Sequence, residues 1–141
     1  IKNDGLSACY TLSWEVLTEY VNTADLYFEK DFLTPKVFRK KFSFKRLRRM
    51  NFIPIQSILF ERKLYEKAGG FLEGKDYLED WNLWVRYASI GKFQLVEKTS
   101  SIFRTPSDLI ERKRRAELLN SAYDEIFEIN KAMLSKIAED S

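Results

Sequence analysis

Residues 80–90, DWNLWVRYASI, constrain the fold more than any other stretch of this chain. Wound as a helix, they spread Trp81, Leu83, Trp84, Val85, Tyr87, Ala88 and Ile90 over most of the circumference. Only Asn82, Arg86 and Ser89 remain as a polar stripe at helical spacing. A helix that is apolar nearly all round belongs inside a fold, so residues 80–90 are expected to be largely buried, with Gly91 ending the helix.

The flanking sequence supplies material for an α/β arrangement. Residues 8–16 (ACYTLSWEV) mix apolar and aromatic residues and predict a strand; residues 22–25 predict a turn and residues 26–28 a short strand. Residues 35–49 carry eight basic residues and no acid, interleaved with Val37, Phe38, Phe42, Phe44 and Leu47. That spacing suits one helix or two short ones, with Pro35 near the first turn. The β-branched run 53–60 (IPIQSILF) predicts a buried strand, and residues 61–68 a short helix stopped by Gly69 and Gly70. Residues 92–98 and 101–105 predict two further strands. Pro106 and Ser107 then open a long helix reaching to about Ala138. Its Leu119, Ala122, Ile126, Ile129 and Met133 form an apolar seam too short for a coiled coil, so it is expected to pack on its own domain.

Composition narrows the chemistry. At 141 residues with 45% hydrophobic content, the chain is long enough for one domain with a real core. It has no histidine, which excludes a histidine triad or imidazole acid–base catalysis, and its single cysteine, Cys9, excludes an internal disulfide and a thiolate metal site. A lone cysteine fits a reducing, cytoplasmic setting. The formal net charge of +3 does not by itself call for nucleic acid. No run approaches the roughly 18 apolar residues of a membrane span. The start on Ile1 reads as a fragment boundary.

An ordered set of residues points further. Gly69-Gly70-Phe71 is followed by Glu79-Asp80-Trp81, then Trp84, Arg86 and Gly91, and later by Ile102-Phe103-Arg104. Upstream lie Asn51-Phe52-Ile53-Pro54 and residues 57–60. Together they resemble the acceptor-side, C-terminal half of family 2 glycosyltransferases of the GT-A fold. In that pattern a GGF turn precedes an ED pair that opens a helix. The resemblance covers roughly residues 5–105 and implies an acceptor-side unit over 1–105 with a helical tail over 106–141. It also implies an inverting transfer of a sugar from a nucleotide-sugar donor to a carbohydrate or lipid-linked acceptor.

The residue types suit that chemistry. A hydroxyl is a poor nucleophile at neutral pH, and a carboxylate that accepts its proton in the transition state contributes roughly 10² to 10⁴ in rate. The resemblance places that base on Asp80, with Glu79 beside it contacting acceptor hydroxyls or orienting the loop, and Gly69 and Gly70 letting backbone approach the sugar; Trp81 is a candidate to stack on a sugar. Arg104 falls at the family's Tyr-Arg strand end, where contact with the diphosphate is one reading and a structural salt bridge another. Plainer readings stand beside these. Asp80 is also a favoured helix N-cap, Asp76 with Glu79 has capping-box spacing, Trp84 suits core packing, and Arg86 a structural salt bridge.

The chain departs from the family in two respects. The nucleotide-binding strands and the DxD metal motif would precede Ile1. The acid-x-acid pair Glu29 and Asp31 lies on the wrong side of the Cys9-Tyr10 strand to replace it. A histidine common after the Tyr-Arg segment is replaced here by Thr105-Pro106-Ser107-Asp108, where Asp108 is the nearest substitute. A divalent cation, Mn²⁺ or Mg²⁺, is therefore expected in the complete enzyme, with ligands mostly outside this chain. The chain alone is expected to be inactive, to expose strand edges open to homodimerisation, and to work in the cytoplasm or at the inner face of the membrane. The competing functions are a basic, aromatic-bearing module for anionic partners built on residues 35–49, and a purely structural interaction domain.

Overall fold

In the computed structural model, residues 5–21, 26–33 and 39–139 are described. The expected turn at 22–25 and the start of the basic segment at Pro35 lie outside them. The long strand β1 (Leu6–Val21) organises the sheet. Strand β4 (Lys92–Pro106) runs parallel to it along one edge. The other edge is shared by two antiparallel partners, β3 (Ile58–Phe60) on Ala8–Tyr10 and β2 (Leu26–Leu33) on Glu15–Val21. The helices are α1 (Phe44–Leu47), α2 (Arg62–Ala68), α3 (Glu79–Ile90) and α4 (Leu109–Glu139). The molecule is thus mixed α/β, with a small four-stranded sheet and a long C-terminal helix.

The buried positions of β1 run Ala8, Tyr10, Ser13, Val16 and Thr18, changing phase twice instead of alternating throughout. The first change coincides with register irregularities against β4 at Thr11, Leu12 and Ser13. There the Thr11 and Ser13 hydroxyls bond those of Ser100 and Ser101, each at 2.6 Å. These bulges explain why one continuous β4 reads from sequence as two strands: the polar residues 99–101 are a kink in the ladder, not a break.

Helix α3 is enclosed as its sequence demands. Trp81, Leu83, Trp84, Val85 and Tyr87 are buried in a core with Tyr10, Leu47, Phe52, Ile53, Leu64 and Phe93. The indole of Trp84 donates to the Ile53 carbonyl at 3.2 Å, satisfying its one polar atom in the core as expected for a packing residue. Helix α4 closes the far side, with Ile126 fully buried in the same core and Tyr123 stacked on Trp81 at 5.2 Å between ring centroids. Asp108 caps its start by accepting from the Glu111 amide at 2.8 Å.

Two local expectations are corrected, the strand over 53–60 and the Arg86 salt bridge. Within the expected strand 53–60 only Ile58–Phe60 pairs. Pro54 has no amide hydrogen to give a ladder, and the chain turns through a 3-10 segment at Ile55–Ser57. Within the described part of the basic segment, 39–49, the α-helical stretch is Phe44–Leu47, capped by Ser43, and Phe42, Phe44 and Leu47 anchor into the core. Arg86 pairs with carbonyls and an amide, not a carboxylate: it donates to Ala68 O, Gly70 O and the Asn82 side chain. Burial lowers its pKa. The polar stripe of α3 is therefore internal, since Asn82 is buried and donates to Asn130 of α4 at 2.7 Å. Gly91 ends α3 in extended backbone; a Cβ there would lie 2.8 Å from Ser7 and 2.9 Å from Leu64.

Candidate active site

The turn before α3 presents the site. Leu78 adopts a left-handed conformation (φ 58°) and leaves the helix without a side-chain cap, so Glu79 and Asp80 fall in its first turn. Asp80 is thus inside the helix and not its N-cap, and the Asp76–Glu79 pair makes no capping box there. One carboxylate oxygen of Asp80 accepts from the Trp81 amide at 2.8 Å. The other accepts from the side-chain amide of Asn51 at 3.0 Å. Asn51 is fixed in turn because its own oxygen accepts from the Ile53 amide at 3.2 Å. The amide group is therefore oriented with its donor toward Asp80.

Burial outweighs these hydrogen bonds. Removal from water pushes Asp80 up from 3.8 to about 6; Asn51 and the Trp81 amide pull it down, and the neighbouring Glu79 charge pushes it up again. A helix N-terminus favours the ionised form, but here it is overridden. The result is a carboxylate that is ionised at neutral pH yet markedly more basic than an ordinary aspartate, the condition suited to accepting a proton near pH 7.

Asp80 opens into a cleft of about 550 Å³. One wall is formed by Asn51 and residues 53–56, another by residues 76–80, and α4 contributes Glu111, Arg114 and Arg115 opposite. The Arg115 guanidinium lies 5.3 Å from the Phe103 ring centroid and donates to the Arg104 carbonyl, which holds it at the cleft wall. A second depression of about 850 Å³ adjoins the first across Pro106, Glu111 and Arg115, and is lined by Tyr20, Tyr27 and Arg104.

The residues singled out from sequence are only partly brought together. Asp80 and Glu79 line the cleft. Trp81 is fully buried, its indole donating to the Leu47 carbonyl at 2.5 Å, so no ring face is open to a sugar. Gly69 and Gly70 sit away from the cleft lining beside Arg86; Gly69 (φ 74°) closes α2 and its carbonyl accepts from the Tyr87 hydroxyl at 2.9 Å. Arg104 lines the adjoining depression instead of the Asp80 cleft. Glu29 and Asp31 lie on the exposed strand β2, and Asp108 is engaged as the α4 cap. Sequence reasoning missed the role of Asn51, whose only signal is its place in the Asn-x-Ile-Pro run, and the α4 wall, which depends on how a distant helix folds back.

Among the described residues no three carboxylate, imidazole or thiol groups converge to hold a metal ion. No helix among them is long and apolar enough to cross a membrane. No protein-family model matches the chain, and no curated protein matches it.

Proposed function

We propose that this chain is the acceptor-side part of an inverting, nucleotide-sugar-dependent glycosyltransferase of the GT-A type, in which Asp80 is the general base. The observation that carries the reading is Asp80 itself. It is a desolvated carboxylate with a pKa of about 6, fixed at both oxygens by Asn51 and the Trp81 amide, lining a cleft of about 550 Å³. A buried carboxylate kept basic costs stability, and such groups concentrate at functional sites. The ordered GGF, ED and Arg104 residues supply the resemblance, and β3 supplies room for it. Among the described residues β3 pairs only with β1, and Leu59 on it is 63% exposed, leaving an edge where further strands could add.

In this mechanism the acceptor hydroxyl lies against Asp80. As its oxygen bonds to the anomeric carbon, its proton passes to the carboxylate and the bond from that carbon to the diphosphate breaks, the electron pair leaving with the nucleotide. Inversion follows from attack opposite the departing group. Asn51 acts as a positioning residue, holding Asp80 with a free lone pair toward the cleft, and Glu79 and Asp76 offer acceptors to neighbouring hydroxyls. The divalent cation of the complete enzyme finds no ligand set among the described residues, so no step is routed through it.

The test is nucleoside diphosphate release from a panel of sugar nucleotides with Mn²⁺, by the full-length protein that contains this chain. Release that falls at least about a hundredfold in Asp80→Asn, with the fold preserved, is the expected result. Release unchanged by that substitution removes Asp80 from the chemistry, and the absence of release with every donor and acceptor pair contradicts the transferase reading.

A further inference from the structure

Residues 39–49 carry Arg39, Lys40, Lys41, Lys45, Arg46, Arg48 and Arg49 with no acid among them. The formal net charge of the chain is only +3, so with these seven cations gathered in one segment the rest of the molecule is net acidic. Among the described residues none of the seven forms an ion pair; the ion pairs lie elsewhere, on β1 with β2, on α2, within α4 and between Lys75 and α4. Arg39, Lys41, Lys45, Arg48 and Arg49 are exposed.

The segment is held firmly from behind. Its carbonyls accept from three aromatic donors on three different elements: Tyr10 of β1 to Lys40 O at 2.6 Å, Trp81 of α3 to Leu47 O at 2.5 Å, and Tyr123 of α4 to Arg49 O at 2.6 Å. Leu47 is fully buried, and Phe42 and Phe44 pack against the core, Phe42 lying 5.3 Å from Phe93. The apolar residues thus face inward and the cations outward on a fixed backbone. A disordered basic tail would have to be ordered on binding; this surface is already arranged.

From this we infer that residues 39–49 form a docking surface for an anionic lipid bilayer. Clusters of four to eight Lys and Arg residues are attracted to anionic headgroups, with about fivefold in affinity per cation. Nucleic acid fits less well. Phe42 and Phe44 are turned into the core and offer no stacking platform for bases, and α1, at four residues, is too short to read a groove. Met50 follows the basic run 39% exposed, giving one apolar side chain at headgroup level. Because Asn51 comes next in sequence, docking through this surface sets the Asp80 cleft beside the bilayer. The inference stands on charge and geometry, independently of the transferase reading.

The experiment is sedimentation of this chain with vesicles of equal parts phosphatidylcholine and phosphatidylglycerol, compared with phosphatidylcholine alone, at low and high salt. Binding to the anionic vesicles only, lost at high salt, is expected. The variant Lys41→Gln/Lys45→Gln/Arg48→Gln should lose about a hundredfold in affinity, from about fivefold per cation. The control Arg62→Gln/Lys63→Gln/Lys67→Gln, with the same charge loss from exposed positions on α2, should change it by no more than about twofold. Absence of wild-type binding, or equal losses in the two variants, would overturn the proposal. So would displacement from the vesicles by duplex DNA at equal phosphate concentration, which would assign the surface to nucleic acid.

Discussion

At the scale of single residues, Asp80 gathers the opposing demands of stability and chemistry. The folded protein holds its proton more tightly than the unfolded chain, with a pKa of about 6 against 3.8. Asp80 therefore favours folding below about pH 4, and that contribution is lost as pH rises through about 6. Asp80→Asn removes the penalty of ionisation, so the variant should be more stable at pH 7 by about 1–2 kcal/mol, after allowance for solvent reaching the cleft, with little gain at pH 4. Urea unfolding at the two pH values checks this; equal effects at both would mean that ionisation is not what the substitution removes. Asn51→Ala should act in the opposite sense. It deletes a bond to the ionised carboxylate and strands the Ile53 amide, costing about 1–3 kcal/mol and driving the Asp80 pKa above 6. The sequence singled out Asp80 only through a resemblance, and the structure sets it in the first turn of α3, lining the cleft. The role of Asn51 was not legible, because nothing in the local sequence says which side chain will meet Asp80 across 29 residues.

At the scale of elements, helices were more legible than strands. The all-round apolar character of 80–90 announced α3 to within one residue, and the paired glycines located the end of α2. Strand boundaries depended on partners: β1 continues to Val21 because β2 and β4 pair with its second half, and β4 absorbs two bulges that read locally as a break. Arg86 was read as a salt-bridge partner because its acceptors are the carbonyls of Ala68 and Gly70, which only the folded turn presents. Arg86→Met should leave those acceptors and Asn82 without their donor, destabilising by about 2–4 kcal/mol, and Arg86→Lys should recover only part of this because an ammonium cannot span three acceptors in a fixed fork. Chemical denaturation of both variants measures it; wild-type stability in Arg86→Met would show that the turn holds without the guanidinium. Gly91→Ala should cost about 1–3 kcal/mol by forcing Ser7 and Leu64 apart.

At the scale of the molecule, α4 connects the core to the cleft. Its Ile126 fills the core, its Tyr123 covers Trp81 and bonds the Arg49 carbonyl, and its Glu111, Arg114 and Arg115 form the wall facing Asp80. Deletion from Glu111 onward should therefore abolish cooperative unfolding; a truncated chain that kept its melting transition and changed only its solution mass would make α4 an oligomerisation element instead. The mixed α/β class was legible from periodicity, whereas the cleft required knowing where a 31-residue helix returns. The central claim, that Asp80 serves as the base, is tested most directly by the pH dependence of kcat/KM for sugar transfer by the full-length protein. A rising limb with its midpoint near pH 6, displaced upward in Asn51→Ala and absent from the residual activity of Asp80→Asn, is the predicted result. A limb that stays in place in both variants would contradict the assignment of Asp80.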